Sequence, residues 1–295
     1  MRKIVILIPI YNDWQSLFKL LENVDLQITK WNAEVSVLVV NDASTQERPK
    51  NISEFKKIQS IQVINMKENK GHARCNAAGL KYLIEKDDFE HVILMDGDGE
   101  DRPEELDLLF NKSQENPTIS ITANRIKRSE GFFFKLLYEF HKILTYLFTG
   151  KLIKFGNYSC LTKQDASKLV KEACLWSSFS GSVTKIISNR LSVPSIRGLR
   201  YFGPSQMNLF NLLIHSFSII GVFKNSVIFR SILFLILYLF FISNNFSIIT
   251  LIPVIILVSF LISILKISSR ANINDLNNSL QNISSVDVLS NSNGR

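Results

Sequence analysis

Cysteine is scarce: Cys75, Cys160 and Cys174 are an odd number with no Cys-x-x-Cys spacing. This pattern indicates neither a disulfide framework nor a thiolate metal site, and it suits a reducing compartment. Histidine is nearly as sparse. His72, His91, His141 and His215 are widely separated and form no His-x-x-x-His pair, so each reads as a surface or packing residue and a zinc hydrolase is not indicated. Zinc-finger and RNA-recognition signatures are also missing beside the basic groupings Arg125-Ile-Lys127-Arg128 and Arg197-Gly-Leu-Arg200. The net charge of +8 and pI of 9.3 therefore fit an anionic membrane face or phosphorylated substrates better than nucleic acid. The start is not expected to be a secretory leader. Arg2-Lys3 and Ile4–Ile10 imitate one, but the run is short, Pro9 interrupts it, and Tyr-Asn-Asp follows where a small-residue cleavage site belongs. It reads as a first buried strand.

The 295 residues suffice for one large α/β domain, and a shift in composition near residue 225 separates it from an apolar portion. Short β-rich apolar runs at Ile4–Pro9, Val35–Val40, Gln62–Ile64 and Val92–Met95 alternate with helical stretches near 13–29, 72–86 and 103–115. That is the pattern of a parallel sheet wrapped by helices. Three of the strands run into polar tips: Tyr11-Asn12-Asp13, Asn41-Asp42-Ala43-Ser44 and Asp96-Gly97-Asp98. In open α/β sheets the ligand crevice lies outside the carboxyl ends of the strands, so these tips are expected to line one edge.

The remainder points to a membrane. Segment 132–149 is helical by composition, with Lys135, Glu139 and Lys142 on one narrow polar stripe. It reads either as a core helix or as one lying at the membrane interface. Segment 206–223 is similar and leads into two apolar runs, 227–243 and 246–265, separated by Asn244-Asn245. These runs predict a transmembrane helical hairpin, with a hydrophobic hairpin buried in protein as the alternative. The first run is short after Arg230 and spans only if that side chain snorkels or the bilayer thins. Basic residues flank the outer ends and none sits in the turn, which places the soluble domain and the C-terminus in the cytoplasm. The expected division is an α/β domain over 1–205, an interfacial amphipathic helix over 206–225, the hairpin over 226–268 and a disordered cytoplasmic tail over 269–295.

The chemistry is expected at Asp96-Gly97-Asp98-Gly99-Glu100-Asp101, delivered by the strand ending at Met95. Two carboxylates one residue apart can share a hard divalent ion, which bridges to a diphosphate and neutralises charge on its departure. A solvated turn preceding a helix is the plainer alternative. A calcium loop of the EF-hand type is disfavoured, because its sixth position requires Gly where Asp101 stands.

With Ile8-Pro-Ile-Tyr-Asn12, Val39-Val-Asn-Asp42, Asn69-Lys-Gly71 and Met95-Asp-Gly-Asp98 in this order, the chain resembles glycosyltransferase family 2. Its nearest likeness there is to the dolichyl-phosphate mannose synthase and polyprenyl-phosphate glycosyltransferase group. The resemblance covers roughly residues 3–205 and, in outline, the hairpin. It implies an α/β GT-A fold, a UDP- or GDP-linked sugar donor, Mg²⁺ or Mn²⁺, and inversion at the anomeric carbon.

Carried over by position, Pro9, Tyr11, Asp13, Asp42, Lys70, Asp96, Arg200 and Ser205 would hold the nucleotide sugar. Asp96, Asp98 and Glu100 would contact the metal, and Asp96, Asp98, Glu100, Asp101 and Arg125 would form the catalytic set. Arg125, Arg128 and Asn157 would grip the acceptor phosphate, since guanidinium matches phosphate bidentately. The group's Asp-Ala-Asp-Leu-Gln-Asp reads Asp-Gly-Asp-Gly-Glu-Asp here, with Glu100 in the Gln position; Tyr-Asn-Glu is shortened at Asp13, and the Lys expected after Ser205 is Gln206. Two other readings stand beside transfer to a polyprenyl phosphate: transfer to a hydroxyl of a lipid-linked glycan or polysaccharide, and a non-catalytic membrane scaffold that keeps the nucleotide-sugar fold. A homo-oligomer is compatible with any of them.

Overall fold

The computed structural model describes residues 1–49, 54–128, 132–204 and 209–291, except the side chains of 127, 128, 132–135, 209, 290 and 291. The first half runs β1 (Arg2–Ile10), α1 (Trp14–Gln27), β2 (Ala33–Asn41), β3 (Ile58–Met66), α2 (His72–Lys86), β4 (His91–Leu94), α3 (Leu106–Glu115), β5 (Ser120–Arg128) and α4 (Phe132–Thr149). The second half runs β6 (Ser159–Thr162), α5 (Lys163–Leu169), α6 (Phe179–Ile186), β7 (Arg190–Arg197), α7 (Leu209–Gly221), α8 (Lys224–Ile242), α9 (Ile248–Ser268), α10 (Ile273–Asn277) and β8 (Ile283–Asn291). All eight strands join one sheet in the order β7-β5-β6-β4-β1-β2-β3-β8.

The central β4-β1-β2-β3 run is parallel, as the alternation of strands and helices predicts. Each central strand is apolar on both sides because both faces are covered. Along β1, Ile4, Ile6, Ile8 and Ile10 enter one core with α1 and α3, while Val5 and Leu7 enter the other with α2, α5 and α6. This is the strand's period of two, filled on both faces. The parallel register brings Ile10 beside Asn41, and Leu7 beside Leu94. The ends of β1, β2 and β4 consequently deliver Tyr11, Asp42 and Asp96 to one edge.

Strands β5, β6 and β7 lie outside the runs read as strands in the sequence. β6 is antiparallel to both β4 and β5. Its four residues and the mixed polarity of β5 give little periodic signal.

Helices α8 and α9 are long and apolar enough to cross a membrane, and only 17% and 6% of their most apolar stretches are buried. Neither helix is therefore a core helix of this chain. The 21 residues of α9 extend about 31 Å at ~1.5 Å each, matching a hydrocarbon core of roughly 30 Å. Arg230, the obstacle in the first run, donates to the Leu147 carbonyl at 3.1 Å at the end of α4. Cations are favoured at a helix C-terminus. Phe148 of α4 packs on Phe234 of α8 and Phe260 of α9, with centroids 5.7 and 4.6 Å apart. The opposite flank of α4 leaves Leu136, Phe140, Ile143 and Leu147 exposed. Spacings of three and four place them on one stripe, so α4 has an apolar face toward protein and another toward its surroundings.

The C-terminal stretch departs from the disordered tail expected over 269–295. Residues 273–277 form α10, and 283–291 form β8, antiparallel to β3. Leu276 is fully buried in the core beneath α2. Arg48 pairs with Asp287 at 2.7 Å, and Asn65 donates to Ser285 Oγ at 2.9 Å. An edge strand draws most of its stability from ladder hydrogen bonds, so β8 carries no broad apolar face, and its Val286 and Val288 are exposed.

Candidate active site

The turn after β4 is built from backbone outward. Asp101 Oδ2 accepts the Asp96 N–H at 3.0 Å, and Asp98 Oδ1 accepts the Glu100 N–H at 3.0 Å. Gly99 adopts φ +88°, and a Cβ there would lie 2.6 Å from the Tyr201 ring, so only glycine lets residues 198–203 close onto the turn. That closure is tied by Gly198 N–H to the Glu100 carbonyl (2.8 Å) and Tyr201 N–H to the Asp98 carbonyl (2.9 Å).

The carboxylates divide among different cations. Asp96 meets His72 Nε2 at 3.0 Å and the Asn157 side-chain amide at 3.0 Å. Arg200 bridges Asp98 and Asp13, each at 2.6 Å. Glu100 is held by Arg197. Arg125 lies 3.7 Å from Asp101 and is seated over Gly156, where a Cβ would be 2.6 Å from its Nη2. Its backbone N–H donates to the Lys154 carbonyl at 2.8 Å.

Crowding of like charge sets the proton affinities. Burial disfavours ionisation of Asp96, yet His72, Arg125 and the Asn157 amide outweigh it and hold the carboxyl well below the usual range. Burial, then repulsion from Asp96, raises Asp98, and the same two causes push Asp101 up to about 7. Glu100 is raised by burial against the opposing pull of Arg197. His72 loses hydration in the crevice, but Asp96, Asp98 and Asp101 raise it above the ordinary imidazole value. Among the described residues, Asp13, Asp96, Asp98, Glu100 and Asp101 thus face three guanidiniums and one imidazole. Hard oxygen donors with a deficit of positive charge fit a divalent cation.

Asp96 and Asp98 are the side chains that would hold such an ion. Glu100, also expected as a metal contact, has its carboxylate on Arg197, as Asp98 has its own on Arg200. Among the described residues no group of three His, Cys, Asp or Glu side chains could hold a metal. Two protein ligands with diphosphate and water oxygens completing the shell is the usual manner for Mg²⁺.

At the nucleoside end the sequence-based roles shift. Pro9 is buried in β1, so its ring is not available to a ligand, while Tyr11 is exposed at the strand tip. Asp42 is only 3% exposed, and its two oxygens accept the Lys70 and Gly71 backbone N–H groups, both at 2.8 Å. It organises the approach to α2, the segment beside the edge where base or ribose contact is expected. The exposed Lys70 ammonium pairs with Glu68 at 2.5 Å. Asn12, given no role of its own in the sequence motif, latches the loop after β2: its Oδ1 accepts the Thr45 and Gln46 N–H groups at 2.8 and 3.0 Å. Ser205 and the Arg128 side chain lie outside the described residues.

The predicted residues Asp13, Asp96, Asp98, Asp101, Arg125, Asn157 and Arg200 do come together. His72 and Arg197 join them unforeseen. His72 follows Asn69-Lys-Gly71 directly, so its place at the start of a helix facing the strand ends was the available signal.

A mostly parallel sheet presenting nested carboxylates at its carboxyl edge, closed by an arginine-bearing loop, places the domain in the GT-A class of nucleotide-sugar folds. Mannosyl-3-phosphoglycerate synthase from Rubrobacter xylanophilus superposes with a TM-score of 0.52 and 11% identity, covering 75% of this chain and 72% of that one. Glucosyl-3-phosphoglycerate synthase from Mycobacterium tuberculosis, solved with Mn²⁺, UDP-glucose and phosphoglyceric acid, gives 0.51 and 12%, covering 77% and 80%. Such identities establish likeness of fold. The sequence profile of Glycosyl transferase family 2 matches residues 5–177, more than half of the chain, and the protein belongs to that family. Among curated proteins it is similar to the undecaprenyl-phosphate 4-deoxy-4-formamido-L-arabinose transferases of two Klebsiella pneumoniae strains, 24% identical over 222 residues. The match covers 72% of this chain and 65% of each relative, so the chain spans just under two thirds of their length.

Proposed function

We propose that the protein transfers a sugar from a nucleotide-diphosphate donor to the phosphate of a polyprenyl lipid at the cytoplasmic face of a membrane, with inversion at the anomeric carbon. The observation that carries this reading is the absence, among the described residues of the acidic turn, of a carboxylate placed to act as a free base. Asp13 and Asp98 are bound by Arg200, Asp96 by His72 and Asn157, Glu100 by Arg197, and Asp101, only 3% exposed, by the Asp96 N–H with Arg125 beside it. A hydroxyl acceptor needs a base to take its proton. A phosphate monoester, with a second pKa of about 6, is already anionic near neutral pH and needs none.

In this mechanism Arg125 grips the acceptor phosphate, with Asn157 beside it. A phosphate oxygen attacks the anomeric carbon as the bond to the nucleoside diphosphate breaks, giving a lipid-linked sugar phosphate and a free nucleoside diphosphate. In-line positioning supplies much of the rate. Asp96 and Asp98 would hold Mg²⁺ or Mn²⁺, which offsets charge on the departing diphosphate. Arg200 adds a guanidinium to the donor side, and exposed Tyr11 offers a face for the base. The similarity to undecaprenyl-phosphate transferases supports the acceptor class.

Helices α8 and α9 form the two-pass anchor, and Arg230, Lys266 and Arg270 beside its outer ends favour a cytoplasmic catalytic domain. The return of β8 to the sheet fits an even number of crossings.

The test is incubation of membranes containing the protein with labelled UDP- and GDP-sugars, Mg²⁺ or Mn²⁺, and undecaprenyl phosphate. Label on the lipid phosphate is expected, and loss of labelling in Asp98→Ala. Label appearing only on a glycan hydroxyl would replace this reading with the second one, and no transfer to any acceptor would favour a scaffold.

A further inference from the structure

Behind the strand that carries Arg125 lies a separate concavity of about 260 Å³. Successive residues of β5 face opposite sides of the sheet. Ile121 and Ala123 join the core under α1 and α3, whereas Thr122 and Asn124 line this cavity together with Ser188, Ser192, Lys154 and Arg190. Its two cations have no acidic partner among the described residues. Lys154 is exposed, and Arg190 donates Nη1 to the Ile187 carbonyl at 2.6 Å and lies 5.6 Å from the Phe155 ring centroid. Charge without a counter-ion, the Ser188 and Ser192 hydroxyls and the Asn124 amide make a donor-rich hollow suited to a phosphate group, while the Thr122 hydroxyl donates to the Leu191 carbonyl at 3.3 Å. Leu152, 57% exposed, and Phe155 give it an apolar lip.

The cavity is also at the right level for a lipid. Two residues before Leu152, Gly150 ends α4, and the Arg230 guanidinium packs against it, 2.7 Å from where a Cβ would stand. Arg230 is where α8 leaves the protein and becomes largely exposed and apolar, so this stretch marks headgroup depth.

We propose that the cavity binds the phosphate of an anion, supplied by the headgroup of an anionic phospholipid, with Lys154 and Arg190 as the charged contacts and Leu152 against the glycerol or acyl carbons. The same phosphate chemistry is available from free phosphate, which the experiment separates. The proposal rests on membrane placement of α4 and α8 and not on the sugar-transfer reading. It has one consequence for that reading: the Lys154 carbonyl holds the Arg125 N–H, so an occupied cavity steadies the segment on which Arg125 is seated.

The test uses the full chain in nanodiscs of phosphatidylcholine alone or mixed with phosphatidylglycerol, reading melting temperature and lipids retained in native mass spectrometry. Wild type is expected to be stabilised by phosphatidylglycerol and to retain it. Lys154→Glu should weaken retention about tenfold, as a charge is removed and a repulsion added. Lys151→Glu makes the same charge change at an exposed neighbour outside the cavity and should retain the lipid. Stabilisation of detergent-solubilised wild type by inorganic phosphate, abolished in Lys154→Glu without any phosphatidylglycerol effect, would assign the site to a soluble phosphate. Equal losses in Lys151→Glu and Lys154→Glu, or no response to either anion, would overturn the proposal.

Discussion

Gly156→Ala isolates the placement of Arg125 from the stability of the fold. Gly156 is not one of the positive-φ glycines, so alanine adds no backbone strain. Its new Cβ would stand 2.6 Å from Arg125 Nη2 and 3.0 Å from Cζ. Ordinary contact begins near 3.4 Å, so the guanidinium must withdraw by about 1 Å, a displacement that can cost up to about 100-fold in rate when it moves a positioning group. The obstructing atoms are the far end of a flexible side chain, so the protein gives way cheaply. A stability change within about 1 kcal/mol is expected, since loss of glycine's unfolded-state freedom offsets part of the crowding. The assay pairs thermal unfolding in detergent with initial rates of labelled sugar transfer to undecaprenyl phosphate. A fall of roughly 10- to 100-fold in kcat/KM with an unchanged melting temperature is expected. Wild-type kinetics in Gly156→Ala, alongside a crippled Arg125→Ala, would refute the claim that the position of this guanidinium matters; a grossly unfolded Gly156→Ala would refute the packing geometry.

Arg200→Ala strips the cation from Asp98 and Asp13, so Mn²⁺ binding, followed by loss of the free-ion EPR signal, should tighten about fivefold while transfer slows; weaker binding would show that Arg200 does not compete for these carboxylates. Chelation by EDTA should abolish transfer and added Mn²⁺ or Mg²⁺ restore it; undiminished activity in EDTA would remove the metal from the mechanism. Leu276→Ala should cost about 2–5 kcal/mol in denaturant titration, as for other fully buried leucines, and a change under about 0.5 kcal/mol would mean the C-terminal segment is not part of the core. Burial, then the nearby Arg2, lowers His91 below its ordinary value near 6.5, while a hydrogen bond to the Pro117 carbonyl at 3.1 Å pulls the other way. Its contribution to stability is complete above pH 6.5, falls as pH drops below that value, and levels off beneath the folded-state value. His91→Gln should flatten the melting-temperature slope over that window, and an unchanged slope would assign it to other groups.

The parts legible from sequence were those governed by local pattern. The apolar runs of β1, β2 and β4 and the segment 132–149 were placed to within a few residues, because burial on both faces or an amphipathic stripe leaves a periodic trace. β8 left little trace: its partner is an edge more than two hundred residues away, and its stability lies in backbone pairing. The acidic turn was legible as a motif, but the partners of its carboxylates were not. Glu100 fills the position of a metal-contacting side chain and pairs with Arg197, while His72 reaches Asp96 from a separate helix. Both outcomes depend on how residues 198–203 and the start of α2 close over the turn, which spacing along the chain does not encode.

The order of residues along the chain also sets an order of assembly. β3 presents its outer edge once residue 66 is made, and the strand that covers it comes after the hairpin, with Ser285 lying 220 residues beyond Asn65. At ~5–20 residues per second, that edge waits roughly 10 to 45 seconds for its partner during synthesis. Both apolar helices emerge in the interval. Under the proposed two-pass topology, completion of the sheet would be a checkpoint on insertion: a hairpin entering with the wrong topology would strand β8 across the bilayer and leave β3 open to other chains.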